Sequence, residues 1–443
     1  MIARTPMRLL TGVMDRGATT AEVYWKEGRS IRFALSASAE LTESHVEERG
    51  VAVRAWGPAG EMAFASFIPD DDACTSHALE GIRMQMLGPG EGPPTLPCSP
   101  PHALTPDGGS RLGDMAARIR EMLLPMKEAF GGRGRQAVSF ETAWAEAGES
   151  RITLVNSRGF EGSQQLAGWN LALAARATRG NDARMGYLGR GGRVLPEMDA
   201  GALVSEICWR TAAPLGGESA PPGNVKVLID ATVASQLLQS LSSLFVASPA
   251  TVVSLANSEK IGPPSLRIQE EGCPKGVATG EAWDGEGIPV RSVPLVEKGR
   301  IANLLTDLSL SRRFDLPPTG SAKRLSFRDM PEAAPTRLIL TLEGKERQDL
   351  VRNVDDLLGG LDPGLFLTTG RFIASDVGTG GALVGGGIWI DGGRAVHPIR
   401  RGVIPAGPIE LLRALLSSTP PEGGWAESAE SGSLLVVTDV FPG

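Results

Sequence analysis

Aromatic residues make up only 5% of this 443-residue chain, and histidine and cysteine occur four times each. So few rings leave few platforms on which nucleobases can stack. The net charge of −7 has the wrong sign for a surface that tracks phosphates, so nucleic acid is not expected as a partner. The one Arg-rich stretch, Arg176 to Arg193, reads as a solvated loop or sheet face. Cys74, Cys98, Cys208 and Cys273 lie far apart with no C-x-x-C pair, which indicates neither a zinc knuckle nor a disulfide framework. Reduced thiols and a cytoplasmic location are expected. No run approaches the roughly 18 apolar residues that a membrane helix needs. Met1–Thr20 lacks the apolar core and small-residue cleavage site of a signal peptide, so neither a membrane span nor a leader is expected.

The familiar catalytic signatures are also missing. His45, His77, His102 and His397 never fall within one helical turn of each other, so H-E-x-x-H is absent. There is no G-x-S-x-G elbow and no Walker loop. Gly378-Thr379-Gly380-Gly381 resembles part of a dinucleotide loop, but Gly385, Gly386 and Gly387 follow where a helix should begin. A glycine-rich turn between strands is the favoured reading.

Glycine and proline are plentiful, with 56 and 32 residues, against an average of about 7% for glycine. Many tight turns, hence a β-rich chain, are expected. Ala21–Trp25 and Ser30–Leu35 flank Lys26-Glu27-Gly28-Arg29 as one hairpin; Val51–Trp56 and Glu61–Phe67 flank Gly57-Pro58-Ala59-Gly60 as another. Leu112, Met115, Ala116, Ile119, Met122, Leu123 and Met126 recur at helical spacing, with Pro125 predicted to kink or end that helix. Further helices are predicted near 71–86, 200–211, 347–358 and 408–417. Val225–Ile229 reads as a strand, with Asp230 as the N-cap of a helix that buries Val233, Leu237, Leu238 and Leu241. Asp391-Gly392-Gly393 marks a hairpin between Ile388–Ile390 and Arg394–His397. The whole is an α+β chain: an N-terminal α/β part with hairpins and helices, and a C-terminal β-rich domain. The predicted division is 1–88, a Pro/Gly-rich linker or loop at 89–110, a central domain at 111–222, and 223–443.

One carboxylate pair stands out. Asp284 and Glu286 are two apart in Trp283-Asp284-Gly285-Glu286-Gly287, so in an extended chain they share a face. Two such groups can bind a cation or act as acid and base. They can equally anchor a turn by accepting backbone N–H bonds or pairing with an arginine, which is the reading favoured here.

Taken in order, several segments resemble the TldD/PmbA family. Glu48–Arg54 followed by Gly60–Ser66 looks like its N-terminal hairpin, and Asn156-Ser157-Arg158-Gly159 like its "N-S-x-G" turn. Asp284-Gly285-Glu286-Gly287 matches "D-x-E-G". Thr319-Gly320 with Arg324 matches "T-G-x-x-x-R", and Gly387-Ile388-Trp389-Ile390 falls within "G-x-W-I-E-x-G". The resemblance covers nearly the whole chain and is clearer in the C-terminal half. It marks Asp284, Glu286, Gly287, Thr319, Gly320, Arg324, Gly387 and Trp389 as residues of a chamber or structural motif.

The resemblance also carries two departures. Catalytic TldD-type chains have H-E-x-x-x-H on the helix after the strand that matches Val225–Ile229. Here Ala231–Leu241 offers neither histidine nor carboxylate, and zinc needs imidazole, thiolate or carboxylate donors. Where related chains read "G-D-F-S", this one reads Gly381-Ala382-Leu383-Val384. The resemblance therefore implies a non-catalytic PmbA/TldE-like subunit of a heterodimeric zinc metalloprotease. It would carry no cofactor of its own, with zinc expected in a TldD-type partner, and would act on unfolded or modified peptides held extended. Two other readings are a stand-alone hydrolase using Asp284 and Glu286, and a peptide-binding module without cleavage.

Overall fold

The computed structural model describes residues 5–38, 40–69, 72–101, 112–130, 138–272, 281–343, 361–376, 380–419, 429–430 and 433–443. The fold is α+β. Its N-terminal half is one antiparallel sheet of six strands in the order β3-β2-β1-β4-β5-β6. These are β1 (Thr20–Ser36), β2 (Leu41–Trp56), β3 (Met62–Phe67), β4 (Val138–Asn156), β5 (Glu161–Arg179) and β6 (Asp182–Gly192). Segments 1–88 and 111–222, drawn apart in sequence, thus share a single sheet: β1 pairs with β2 on one side and β4 on the other.

That double pairing corrects the first predicted hairpin. Lys26-Glu27-Gly28-Arg29 looks like a turn by composition, but β1 runs straight through it, with Gly28 opposite both Glu48 and Ser150. Its charges are met across the strands: Lys26 pairs with Glu48 at 2.8 Å and Arg29 pairs with Glu149. Cross-strand ion pairs of this kind let a polar stretch remain in a sheet.

Alternation along β1 and β2 gives the sheet two faces. One face buries Val23, Trp25, Val51 and Val53 beneath α1 (Pro6–Met14) and α2 (Asp72–Gln85). Further along, α3 (Leu112–Phe130) and α4 (Ala200–Ala212) cover Phe33, Leu35, Ala145 and Leu171. Pro125 neither ends nor breaks α3. It lies on the exposed side, where water can take the freed carbonyl. The turn beyond it buries Met126 and Phe130, and that burial outweighs a proline cost of about 3 kcal/mol. The opposite face carries Glu22, Tyr24, Ala52 and Arg54, and it receives Trp283 and Phe327 from the C-terminal half.

The C-terminal half begins with β7 (Glu218–Ser219), β8 (Gly223–Ile229), α5 (Ala231–Ser240) and α6 (Pro249–Ala256). Next come β9 (Leu266–Glu270), β10 (Val293–Glu297), β11 (Arg300–Ile301), α7 (Leu308–Phe314), β12 (Ala322–Lys323), β13 (Glu332–Ala333) and β14 (Leu338–Leu342). The chain ends with β15 (Gly364–Asp376), β16 (Gly380–Asp391), β17 (Arg394–Ile404), α8 (Pro408–Arg413), β18 (Leu415–Ser418), β19 (Ala429–Glu430) and β20 (Leu434–Pro442). A seven-stranded sheet, β18-β20-β8-β15-β16-β17-β7, packs with the five-stranded sheet β11-β10-β9-β14-β19 around one large core, in which α5 buries Val233, Leu237 and Leu238. The predicted hairpin at Asp391-Gly392-Gly393 forms between β16 and β17. The last predicted helix stops at Arg413 and gives way to β18. The helix predicted at 347–358, and the residues His102, Cys273, Gly378 and Thr379, lie outside the described residues.

Candidate functional site

Glu22 and Arg54 face each other across β1 and β2, on the sheet face turned toward the C-terminal half. Both are almost fully buried, at 1% and 2% exposure. The segment after Trp283 brings Glu286 to the same point. Arg54 Nη2 donates to Glu286 Oε1 at 2.7 Å, and Arg54 Nε lies 3.1 Å from Glu22 Oε1, close enough for an ion pair but poorly aligned for a hydrogen bond. Arg324 closes the group, with Nη2 on Glu22 Oε1 at 2.5 Å and Nε on the Gly285 carbonyl at 3.0 Å. The guanidinium groups also lie over rings, Arg54 over Trp56 and Arg324 over Tyr24. Two arginines and two glutamates from both halves of the chain therefore form one buried latch.

Asp284 plays a different part. Its Oδ1 accepts the N–H groups of Glu286 and Ile288, and its Oδ2 accepts that of Ala322 at 2.9 Å. It ties the acidic turn to β12. The carboxylates thus anchor a turn, and Arg324 pairs with Glu22 instead of with Asp284 or Glu286. Burial pushes Asp284 up to about 6, against the pull of its three backbone donors. Burial likewise pushes Glu286 up to about 7, only partly opposed by Arg54 and by the Leu308 N–H, which donates to it at 2.6 Å. Burial works against the charge of Arg54 as well, yet Glu22 and Glu286 hold it above its ordinary value; the arginine stays charged. The cavity beside the group is small, about 110 Å³, and the oxygens of Asp284 and Glu286 are already engaged, while the buried Glu22 Oε2 has no hydrogen-bond partner among the described residues. Little room is left for substrate.

Thr319, Gly320 and Gly287 complete the same junction. The Thr319 hydroxyl accepts the Thr306 N–H at 2.9 Å and donates to the Thr306 carbonyl at 3.0 Å. Gly320 has φ +73°, and a Cβ there would stand 2.2 Å from the Pro289 carbonyl oxygen. Gly287 has φ +85° and sits against Leu154, Phe160 and Pro97. Gly387 and Trp389 belong elsewhere, to β16. A Cβ on Gly387 would lie 1.9 Å from the Phe366 carbonyl oxygen. Trp389 is core and stacks on His397 with ring centroids 6.4 Å apart.

None of these eight residues lines a second cavity, of about 540 Å³, where β6, α4, α5, β15, β16 and β17 converge. Asp230 caps α5 by accepting the Thr232 N–H at 2.9 Å. The helix then presents Thr232, Val233 and Gln236 to the cavity. Arg210 reaches from α4 to pair with Asp230 and also pairs, at 2.9 Å, with Glu206 one turn earlier on the same helix. Arg184, Arg371, Arg400 and Arg401 are also in the lining, and among the described residues no aspartate, glutamate, histidine or cysteine is. This donor set does not fit zinc. Elsewhere too, the described residues bring together no group of three or more metal-ligating side chains. The arginines come from α4, β6, β15 and β17, so only the topology unites them. The one sequence signal was the basic stretch 176–193, which holds Arg184 and forms a sheet edge.

The arrangement of these sheets and helices is a known fold. TldE from Thermococcus kodakarensis shares it with a TM-score of 0.81 at 14% identity, over 98% of this chain and 99% of that one. So does a Thermotoga maritima protein described as a candidate modulator of a DNA gyrase, with a TM-score of 0.81 at 17% identity over 98% and 99% of the two chains. Residues 222–437 match the PmbA/TldA metallopeptidase C-terminal domain, which places the C-terminal half of the chain in that family. Metalloprotease slr0863 of Synechocystis is 23% identical over 213 residues; the match spans 45% of this chain and 43% of that protein.

Proposed function

We propose that this chain is a non-catalytic, TldE-like subunit of a heterodimeric zinc metalloprotease that cleaves unfolded or modified peptides. The observation that carries the reading is the cavity beside α5. Thr232, Val233 and Gln236 stand on that helix, and arginines stand opposite, where the resemblance places H-E-x-x-x-H in catalytic chains. Arginine side chains repel a divalent cation and supply no lone pair to it. The hydrolytic centre would therefore belong to a TldD-type partner, whose zinc would polarise the scissile carbonyl and activate water. The chain's own contribution is to hold substrate. The cavity is bordered by β6, an edge strand of the six-stranded sheet, and an extended peptide can pair with such an edge. The partner contact is assigned to the β16–β17 hairpin, where Val396 is 57% exposed. The buried Trp389 supports that hairpin from inside.

The stand-alone hydrolase reading loses support at Asp284 and Glu286, whose oxygens are taken up by the turn and the latch. Co-expression with a chain bearing H-E-x-x-x-H, followed by size-exclusion chromatography, tests the subunit reading. Peptidase activity should appear in the mixed fraction and not in this chain alone. Separate elution with a fully active partner would refute it.

A further inference from the structure

A chain of net charge −7 has built a cavity whose charged lining, among the described residues, is all arginine. Arg210 is neutralised from behind by Asp230 and Glu206, and Arg184 by Asp182. Arg371, Arg400 and Arg401 are exposed and meet no carboxylate among the described residues. They come from two strands, β15 and β17, that lie on either side of β16, so their gathering reflects the way the sheet folds. Thr368 lines the same cavity at a slip of register between β15 and β16, and its buried hydroxyl finds no partner within the described protein. Guanidinium groups at a concave surface match the paired oxygens of a carboxylate, which they can hold by two parallel hydrogen bonds. A concavity of about 540 Å³ admits a short stretch of peptide, not only a single ion.

We infer that this cavity is a charge-selective subsite that receives the carboxylate side chains of an acidic extended peptide. The inference rests on the peptide-handling reading above, and it adds what that reading lacks: a preference for acidic sequence. Inorganic phosphate shares the oxyanion chemistry, so the experiment separates the two sources.

The probe is a short fluorescein-labelled peptide of alternating Glu and Thr, with a twin carrying Gln for every Glu. Fluorescence anisotropy is read with the full chain. The Glu peptide should bind on the order of ten-fold or more tightly than its Gln twin, with the difference shrinking as salt is added. The triple variant R371Q/R400Q/R401Q should lose that preference, and each single variant part of it, while the melting temperature stays unchanged. Equal binding of the two peptides would overturn the inference, and so would a preference that survives the triple variant. Saturable binding of inorganic phosphate, with neither peptide bound, would reassign the site to a free anion and equally overturn it. Cleavage of both peptides by the mixed complex, without any binding preference, would sink this inference and spare the subunit reading. A charge preference in binding, with no cleavage in the mixed complex, would do the reverse.

Discussion

The chain holds two collections of arginine that differ in what surrounds them. At the junction of the halves, Arg54 and Arg324 are shut in with Glu22 and Glu286, each 1–2% exposed at the side chain. In the cavity beside α5, Arg371, Arg400 and Arg401 face solvent without carboxylate partners among the described residues. The same side chain is a fastener where charges are balanced and buried, and a receptor where they are left open. Burial makes the first collection costly to disturb, because a charge stripped of its partner cannot be solvated. Exposure makes the second cheap to alter, so what it loses on substitution should be ligand and not fold.

The largest effect expected is from Arg54→Ala. It takes from buried Glu286 its one arginine partner, leaves Glu22 with Arg324 alone, and should cost roughly 3–5 kcal/mol, read as a large fall in the denaturation midpoint. A fall no larger than that of an exposed control such as Arg29→Ala would show that the latch does not hold the halves together. Next in size is the response to pH. Asp284 and Glu286 titrate at about 6 and about 7 in the folded chain, against ordinary values of 3.8 and 4.5. The folded state therefore binds more protons than the unfolded state across that window. These two groups lower stability as pH rises from about 4 to about 7, each on the order of 3 kcal/mol. Glu286→Gln should flatten this slope in denaturation midpoints measured across the window; an unaltered slope would assign the dependence to other groups.

A smaller loss is expected for Gly320→Ala. Its left-handed backbone and the Pro289 carbonyl oxygen 2.2 Å from any Cβ should cost roughly 1–3 kcal/mol, visible as a lowered melting temperature. Smallest of all, Arg371→Gln should change stability by no more than about 0.5 kcal/mol. A larger destabilisation there would mean that the cavity arginines are fasteners too, and the contrast between the two regions would collapse.

The two regions were unequally legible in sequence. The D-x-E-G turn stands out because acid and glycine recur at fixed spacing, and its anchoring role follows from elementary hydrogen-bond chemistry. Its partners Glu22 and Arg54 do not stand out, since they sit in ordinary alternating strands, the nearer of them 232 residues from Glu286. Strand periodicity tells which face a residue takes but not which distant segment packs on that face. Lys26–Arg29 was misread because turn composition and cross-strand ion pairing use the same residues. The cavity was the least legible part. Its arginines are scattered over four elements, and only the order β15-β16-β17 gathers three of them. What the sequence did show was the negative half of the site: a helix from Ala231 to Leu241 without a zinc donor.

The central claim is tested most directly by zinc analysis, coupled to a peptidase assay, on the purified chain alone and after co-purification with a chain bearing H-E-x-x-x-H. The account predicts far less than one zinc per molecule and no cleavage in this chain alone, with stoichiometric zinc and chelator-sensitive cleavage in the pair. Tightly held, stoichiometric zinc with peptidase activity in the chain alone would contradict it.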